Sequence, residues 1–329
     1  MTSMALPTRP LGQTGLRLPV IWVGTATFGG IGSDPALHGL GVDPDRAPAI
    51  LQAAYGAGIT VVDTADSYTG GTSERAVGTW LAGQRHPGVV TATKTGVRTP
   101  YPTRDLSPGH VEAAVRGSLQ RLGVDRIDLL MSHRPDPATP PRVVLEKFAE
   151  LIGRGLVSHI GACNLTAAEV TELLAVSEQA GLPRIEWVQN RFNLAVQASQ
   201  QDVLAVCRAH NLGYVAHSVL AGGALGGRRS TDAVPASSRL AVKPEVYDQY
   251  RTPEMTAAIA AFGREAENLG VPAATLAQAW VLNVPGVSGL VAGPQRPSHI
   301  PASVAAARLT IDPGIHQRIG SLFTAPAHT

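Results

Sequence analysis

Eight alternations of a short apolar run with a longer stretch of helical spacing predict a (β/α)8 TIM barrel, an α/β fold, as the single domain of this 329-residue chain. Two further observations point the same way. The strand runs are apolar or β-branched on consecutive positions, as at 59–62, which is how strands covered on both faces of a parallel sheet read. The open doubly wound sheet, the alternative for such a pattern, needs a glycine fingerprint that is missing. Gly30-Ile31-Gly32 lacks the third glycine at the right offset, and the glycines of 222–227 do not fit the spacing.

In chain order, Leu11-Gly12-Gln13-Thr14-Gly15-Leu16 reads as a short N-terminal β-hairpin able to plug one end of the barrel. Strands are predicted near 20–25, 59–63, 88–94, 126–133, 157–162, 185–190, 213–218 and 286–293. Helices fall between them, near 44–57, 73–83, 108–122, 141–154, 166–180, 199–210 and 253–283, with one more near 297–307. The first opens on Asp43-Pro44, a cap before a first-turn proline. In the third, Val111, Ala114, Val115, Leu119 and Leu122 form one stripe at helical spacing. Thr166 and Glu169 have capping-box spacing at the start of the fifth, and Val203, Val206, Cys207 and His210 mark the sixth. Gly270-Val271-Pro272 splits 253–283 into two helices. Two stretches outside the repeat, 29–42 and 221–252, read as long loops over one face of the barrel.

Composition removes several classes of function. Hydrophobic residues make up 44%, enough for a large core, while 27 basic and 25 acidic residues leave a net charge of only +2. That balance gives no electrostatic footprint for nucleic acid or an anionic membrane surface. Two cysteines, Cys163 and Cys207, are too few for a disulfide framework or a structural zinc site, and they fit a reducing compartment. The first dozen residues lack the apolar core of a signal peptide. The longest uncharged stretch, 268–295, is broken by Pro272, Pro285 and Pro294 and makes a poor membrane span. The expectation is a cytoplasmic protein with neither a membrane nor a nucleic-acid partner.

Barrel enzymes carry their chemistry at the C-terminal strand ends. Here those ends hold Asp63, Lys94, His133, Asn164, Gln189, Ser218 and Gly293. One polar residue after an apolar run is ordinarily a solvated strand end, but on strand after strand it marks a converging ring. Lys94 is one of only three lysines. At a barrel mouth a lysine could form a Schiff base, pair with a carboxylate or shift a neighbour's pKa. The step from Asp63 to Tyr68 can carry the phenol back over the mouth. A tyrosine with a pKa near 10 is a poor acid at neutral pH, so the Lys94 cation is expected to lower that value, with Asp63 holding the lysine. His133 could then orient a substrate carbonyl, and the set would protonate an alkoxide as it forms. Other chemistries fare worse. A phosphate loop at 88–95 has Thr93 where glycine belongs, and no His-x-x-x-His pair supports a metal site. A Gly-x-Ser-x-Gly nucleophile turn is also missing. A two-carboxylate glycosidase stays open on the fold alone, with few strand-end carboxylates besides Asp63.

These residues resemble the aldo-keto reductases over almost the whole chain. The matching motifs are Asp63-Thr64-Ala65-x-x-Tyr68 with Ser73-Glu74, then Thr93-Lys94, and Asp125-Arg126-Ile127-Asp128-Leu129-Leu130 leading to His133. Gly161-x-x-Asn164, Val188-Gln189-Asn190 and Ser218-x-Leu220-Ala221-Gly222-Gly223 follow in the right order and spacing. The resemblance implies a barrel that binds NADP(H), less often NAD(H), in extended form. It implies Tyr68 as proton donor, supported by Lys94 and Asp63, with His133 orienting the carbonyl. Asn164 and Gln189 match positions that hold the nicotinamide carboxamide, and Gly24 and Thr25 match its other side. Ser218, Leu220 and Gly222 match the pyrophosphate loop, and Arg228 matches a phosphate-binding position of the bacterial subtype carrying that loop. Departures are Cys163 in place of a serine and His217 where an aromatic ring often stacks on nicotinamide. In the last turn Ala302 and Ser303 replace a Glu-Asn pair that faces adenine. Pro294 and His299 replace common phosphate contacts there, leaving Gln295 and Arg296 beside Gly293.

The expectation is therefore an NAD(P)H-dependent aldo-keto reductase acting on an aldehyde or ketone. The resemblance also admits an aldose-type dehydrogenase running towards oxidation. It admits equally a cofactor-binding regulatory protein with little turnover, as potassium-channel β subunits use this fold. Specificity is expected in loops 29–42, 134–141 and 221–252. Richness in Ala, Arg, Gly and Pro suggests a GC-rich bacterium, with a sugar or secondary metabolite as the carbonyl substrate.

Overall fold

A computed structural model describes residues 5–98, 101–227 and 238–324. Eight parallel strands close a barrel in sequence order: β1 (Ile21–Gly24), β2 (Val61–Asp63), β3 (Val90–Thr95), β4 (Ile127–Ser132), β5 (Val157–Cys163), β6 (Trp187–Arg191), β7 (Gly213–His217) and β8 (Val287–Ala292). Each agrees with its predicted range to within about two residues, the ordinary uncertainty of strand ends. Register aligns the polar ends: Gly24 pairs with Asp63, Lys94 with Met131, Cys163 with Gln189, and Arg191 with His217.

Alternation of side chains explains the consecutive apolar runs. Val61, Ala92, Leu129, Met131, Cys163, Trp187 and Val215 pack inside the barrel with Trp22. Their neighbours Val62, Leu130, Ile160, Val188 and Ala216 pack outwards among the helices. Both faces are thus apolar, as a covered parallel sheet requires.

The surrounding helices are α1 (Ala47–Gly56), α2 (Thr72–Gly83), α3 (Pro108–Leu122), α4 (Pro141–Gly153), α5 (Ala167–Ala180), α6 (Gln201–Ala209), α7 (Pro253–Asn268), α8 (Ala273–Leu282), α9 (Ile300–Arg308) and α10 (Pro313–Ser321). The Asp43 carboxylate accepts the Asp45 N–H, capping the 3-10 turn that leads into α1, and Thr166 and Glu169 form a complete capping box on α5. The predicted break after residue 268 separates α7 from α8. Helix α10 was not anticipated, since Ile315 and Ile319 are its only large apolar residues. It is held instead by His316 stacked on Trp280 at 4.9 Å, each ring N–H donating to the other residue's backbone carbonyl.

The N-terminal strands Thr8–Pro10 and Arg17–Pro19 pair antiparallel, and their connection caps the N-terminal end of the barrel. Leu11 and Leu18 join the interior cluster from below. Gly12 has φ +55°, and a Cβ there would lie 2.0 Å from the Glu186 carbonyl oxygen, so only glycine allows this close approach. At the opposite end, loop 29–42 carries a 3-10 turn at Pro35–Leu37 and bridges Phe28 to Val42 and Gly30 to His38. The described parts of loop 221–252 hold short helical turns, Arg239–Val242 and Pro244–Tyr247 among them. Among the described residues no helix is long and apolar enough to cross a membrane.

Candidate active site

The end of β2 and the turn after it deliver two of the four expected groups, Asp63 and Tyr68, to the point that Lys94 reaches from β3. Lys94 on β3 donates to Asp63 Oδ1 at 2.6 Å and to the Thr64 carbonyl at 2.8 Å. Its Nζ lies 3.4 Å from the Tyr68 hydroxyl. The pair is almost wholly enclosed, with side chains 1% and 3% exposed. Gln189 on β6 donates to Asp63 Oδ2 at 2.7 Å, so both carboxylate oxygens are engaged. His133, just past β4, faces Tyr68 edge-on with ring centroids 5.4 Å apart. Its Nδ1 lies 3.3 Å from Ser67 Oγ, itself 2.9 Å from Ser33 Oγ in loop 29–42.

Electrostatics here departs from the sequence expectation in one respect. Burial raises the Tyr68 pKa, and the Lys94 cation beside it lowers it by less, so the phenol titrates above its ordinary 10 rather than below. Burial also works against the Lys94 cation, but the Asp63 carboxylate overrides it and lifts the lysine above its usual value. His133 is pushed well below 6.5 by burial and then by the Lys94 and Arg134 cations, and is neutral near pH 7.

Asn164, Gln189, Cys163 and His217 form the floor beside this group. Asn164 sits at φ +62°, a region that asparagine tolerates, and this turns its amide inwards. Its Nδ2 donates to the His133 carbonyl at 2.9 Å and lies 3.1 Å from Cys163 Sγ. Its Oδ1 lies 3.0 Å from His217 Nε2, whose other nitrogen is 3.0 Å from Ser218 Oγ. Burial, followed by the Arg191 cation, takes His217 down to about 3, so Nε2–H is a neutral donor to Asn164. Burial pushes the Cys163 thiol up to about 12, which leaves it a weak donor. Among the described residues Gln189 Oε1 has only that thiol as a partner, at 3.7 Å, and can accept an amide N–H from a ligand. A carboxamide needs an acceptor and a donor side by side; Gln189 Oε1 is the open acceptor here, while the Asn164 amide is engaged by His133, Cys163 and His217.

The remaining expected positions divide. Thr25 is fully buried, donating to the Asp63 carbonyl and lying 2.6 Å from Ser73 Oγ, so its hydroxyl serves the fold. Gly24 is required by packing, since a Cβ would meet Val291 at 2.5 Å, and Gly222 is required by the Tyr247 ring at the same distance. Leu220 and Ser218 lie in the turn after β7 as expected. Gly293, Gln295 and Arg296 are exposed in the turn after β8, where the Gln295 N–H reaches His299 Nδ1 at 3.4 Å. Ser303 is buried, and the Ala302 carbonyl accepts the Thr275 hydroxyl, so this pair docks on α8. Arg228 lies outside the described residues.

Behind the floor, Thr93 donates to buried Glu74 at 2.6 Å, and Arg121 pairs with Glu74 at 2.7 Å. Asp66 lies near this group, and its buried Oδ1 has no partner. Burial, then repulsion from Glu74, raises Asp66 to about 7. Sequence reasoning also missed four half-buried cations around the mouth: Arg134, Arg191, Arg239 and Lys243. The signal was available for two of them, because Arg134 follows His133 and Arg191 stands two residues after Gln189. Among the described residues no group of three or more His, Cys, Asp or Glu is arranged to hold a metal ion.

Comparison with known proteins agrees with the barrel. The model of the Aldo/keto reductase family matches residues 20–322. The chain is 30% identical to the uncharacterized oxidoreductase YrpG of Bacillus subtilis (strain 168), across 96% of this chain and 95% of that protein. It is 28% identical to a probable voltage-gated potassium channel subunit beta of Arabidopsis thaliana, across 90% and 89% of the two chains. A putative voltage-gated potassium channel subunit beta of Schizosaccharomyces pombe is 30% identical across 92% and 88%. With a match over more than nine-tenths of its length and a closed eight-stranded barrel, the chain belongs to the aldo/keto reductase family.

Proposed function

We propose that the protein is a cytoplasmic, NADP(H)-dependent oxidoreductase that reduces an aldehyde or ketone to an alcohol, with Tyr68 as the proton donor. The observation that carries this reading is the buried run from Asp63 through Lys94 to the Tyr68 hydroxyl, at 2.6 and 3.4 Å, beside a neutral His133. Asn164 and Gln189 would hold the nicotinamide carboxamide, and a reduced nicotinamide bound there supplies the hydride. Ser67 occupies His133 Nδ1 and leaves Nε2 to hydrogen-bond the carbonyl oxygen. Tyr68, kept protonated by its raised pKa, gives its proton to the oxygen as negative charge develops there. Lys94 then stabilises the phenolate left behind, and Asp63 keeps Lys94 charged and in place. Solvent returns the proton to Tyr68. NADPH is expected over NADH, with Arg228 and Arg296 as the phosphate contacts in place of an adenine-facing Glu-Asn pair.

The potassium-channel subunits among the relatives favour a second reading, a cofactor-holding regulatory protein with little turnover. A carbonyl panel with NADPH separates the two. Under the reductase reading Tyr68→Phe lowers kcat by about 10²–10⁴-fold while NADPH still binds, because the phenol acts only in the transition state. Near-normal reduction by this variant sinks the proton-donor assignment. NADPH binding with no oxidation by any carbonyl supports the regulatory reading.

A further inference from the structure

Four cations ring a mouth whose chemistry needs only Lys94. Among the described residues none of Arg134, Arg191, Arg239 and Lys243 forms an ion pair with a carboxylate. Two of them stand on the side where the resemblance places cofactor phosphates. Arg191 ends β6 and Arg239 opens the turn after the Ser218 loop, close enough to the proposed phosphate side to be left to the cofactor. The other two stand elsewhere. Arg134 follows His133 directly, whose carbonyl accepts from Asn164, and is half-buried beside the mouth, where its charge helps to lower His133 and His217. Lys243 reaches loop 29–42, where a Cβ built on Gly32 would lie 3.9 Å from Nζ. Nζ also sits 5.4 Å from the Tyr101 ring centroid. Gly32 accepts the Thr69 N–H, and the next residue, Ser33, contacts Ser67. The ammonium therefore stands over the turn that carries Tyr68.

We propose that the carbonyl substrate is an acid, its carboxylate held by Arg134 and Lys243 above the Tyr68–His133 pair. The proposal rests on the reductase reading. Half-buried cations without a carboxylate partner lose hydration that an anionic ligand restores. Burial lowers the Lys243 pKa, and the facing carboxylates Asp34 and Glu245 only partly oppose it. Asp34 itself is turned to cap the Ala36 N–H. With Lys243 partly compensated by Asp34 and Glu245, and Arg134 and Arg239 adding positive charge beside it, the local charge suits a monoanion, and the guanidinium fork matches a carboxylate.

The test is calorimetric titration of the NADP+-loaded protein, which cannot reduce either ligand, with 4-formylbenzoate and with its methyl ester. A charge-assisted contact predicts that the acid binds about tenfold tighter or more at low salt, and that the ratio falls as salt is added. In Arg134→Gln and in Lys243→Gln the ratio should drop towards one. Equal binding of acid and ester, binding of neither, or a ratio that survives both substitutions overturns the proposal. So does a variant that weakens NADP+ while leaving the ratio intact, since its cation then belongs to the cofactor. Oxidation of NADPH by 4-nitrobenzaldehyde tests the reductase reading separately, and its failure leaves the binding ratio readable.

Discussion

Lys94 shows how much one buried side chain can be responsible for. It neutralises Asp63 in an enclosed site and stands within reach of Tyr68. Lys94→Met leaves an uncompensated carboxylate, and breaking such a pair commonly costs about 3–5 kcal/mol. Both the melting temperature and turnover should fall, whereas unchanged stability and an unchanged pH–rate profile would contradict the pairing. Asp66 makes the opposite case, a carboxyl on which burial and Glu74 outweigh the opposing pull of Arg121, Ser67 and Thr95. Its folded value is about 7, against about 3.9 in an unfolded chain. The folded protein therefore holds a proton that the unfolded chain releases, and stability falls as pH rises from about 4 to about 7. Asp66→Asn removes this titration, so its melting-temperature advantage over the parent should be larger near pH 8 than near pH 5. An advantage independent of pH would rule out the raised carboxyl. At this scale Asp63, Lys94 and His133 stood out because they end apolar runs, and Tyr68 by its spacing from Asp63, and the structure brings the four together. The direction of the Tyr68 shift was not, since it depends on how deeply the phenol is packed. Nor did spacing reveal that Thr25 and Gly24 are taken up by Ser73 and Val291.

Strands were the most legible elements, because each one is apolar on both faces and bounded by polar or turn residues. Helix α10 was not, as its anchoring comes from one stacked pair on α8 rather than from an apolar stripe. The loops over the mouth were recognised as loops, but their inward cations follow from folded geometry that no periodicity encodes. Strand β5 shows how tightly element and site are joined. A Cβ on Gly161 would lie 2.3 Å from the Trp187 ring, so β5 and β6 approach each other only with glycine there. Gly161→Ala must displace Trp187 or open the β5–β6 seam, which carries Asn164 and Gln189. Overpacking of this kind costs about 1–3 kcal/mol. A lower melting temperature and weaker NADPH binding are expected together. A variant with parental values for both would show that the seam has room to spare.

For the whole molecule, alternation of strand and helix gave the topology, and the short glycine-containing N-terminal segment gave the cap. Leu11 and Leu18 from that cap bury against Trp22 and Trp187. Removing the hairpin through residue 19 would uncover this cluster. Two buried leucines lost at about 1.5–3 kcal/mol each make a penalty on the order of 3–6 kcal/mol. The truncated chain should melt earlier and bind an apolar dye, and unchanged melting would mean that the barrel interior is self-sufficient. The cap has a further consequence, for traffic. A barrel stoppered at one end and filled with side chains has a single doorway, and Asp63, Tyr68, Lys94, Asn164 and Gln189 all gather at that end. Whatever binds there enters and leaves by the same opening. The hairpin, on the far side from any chemistry, helps to keep it the one way through.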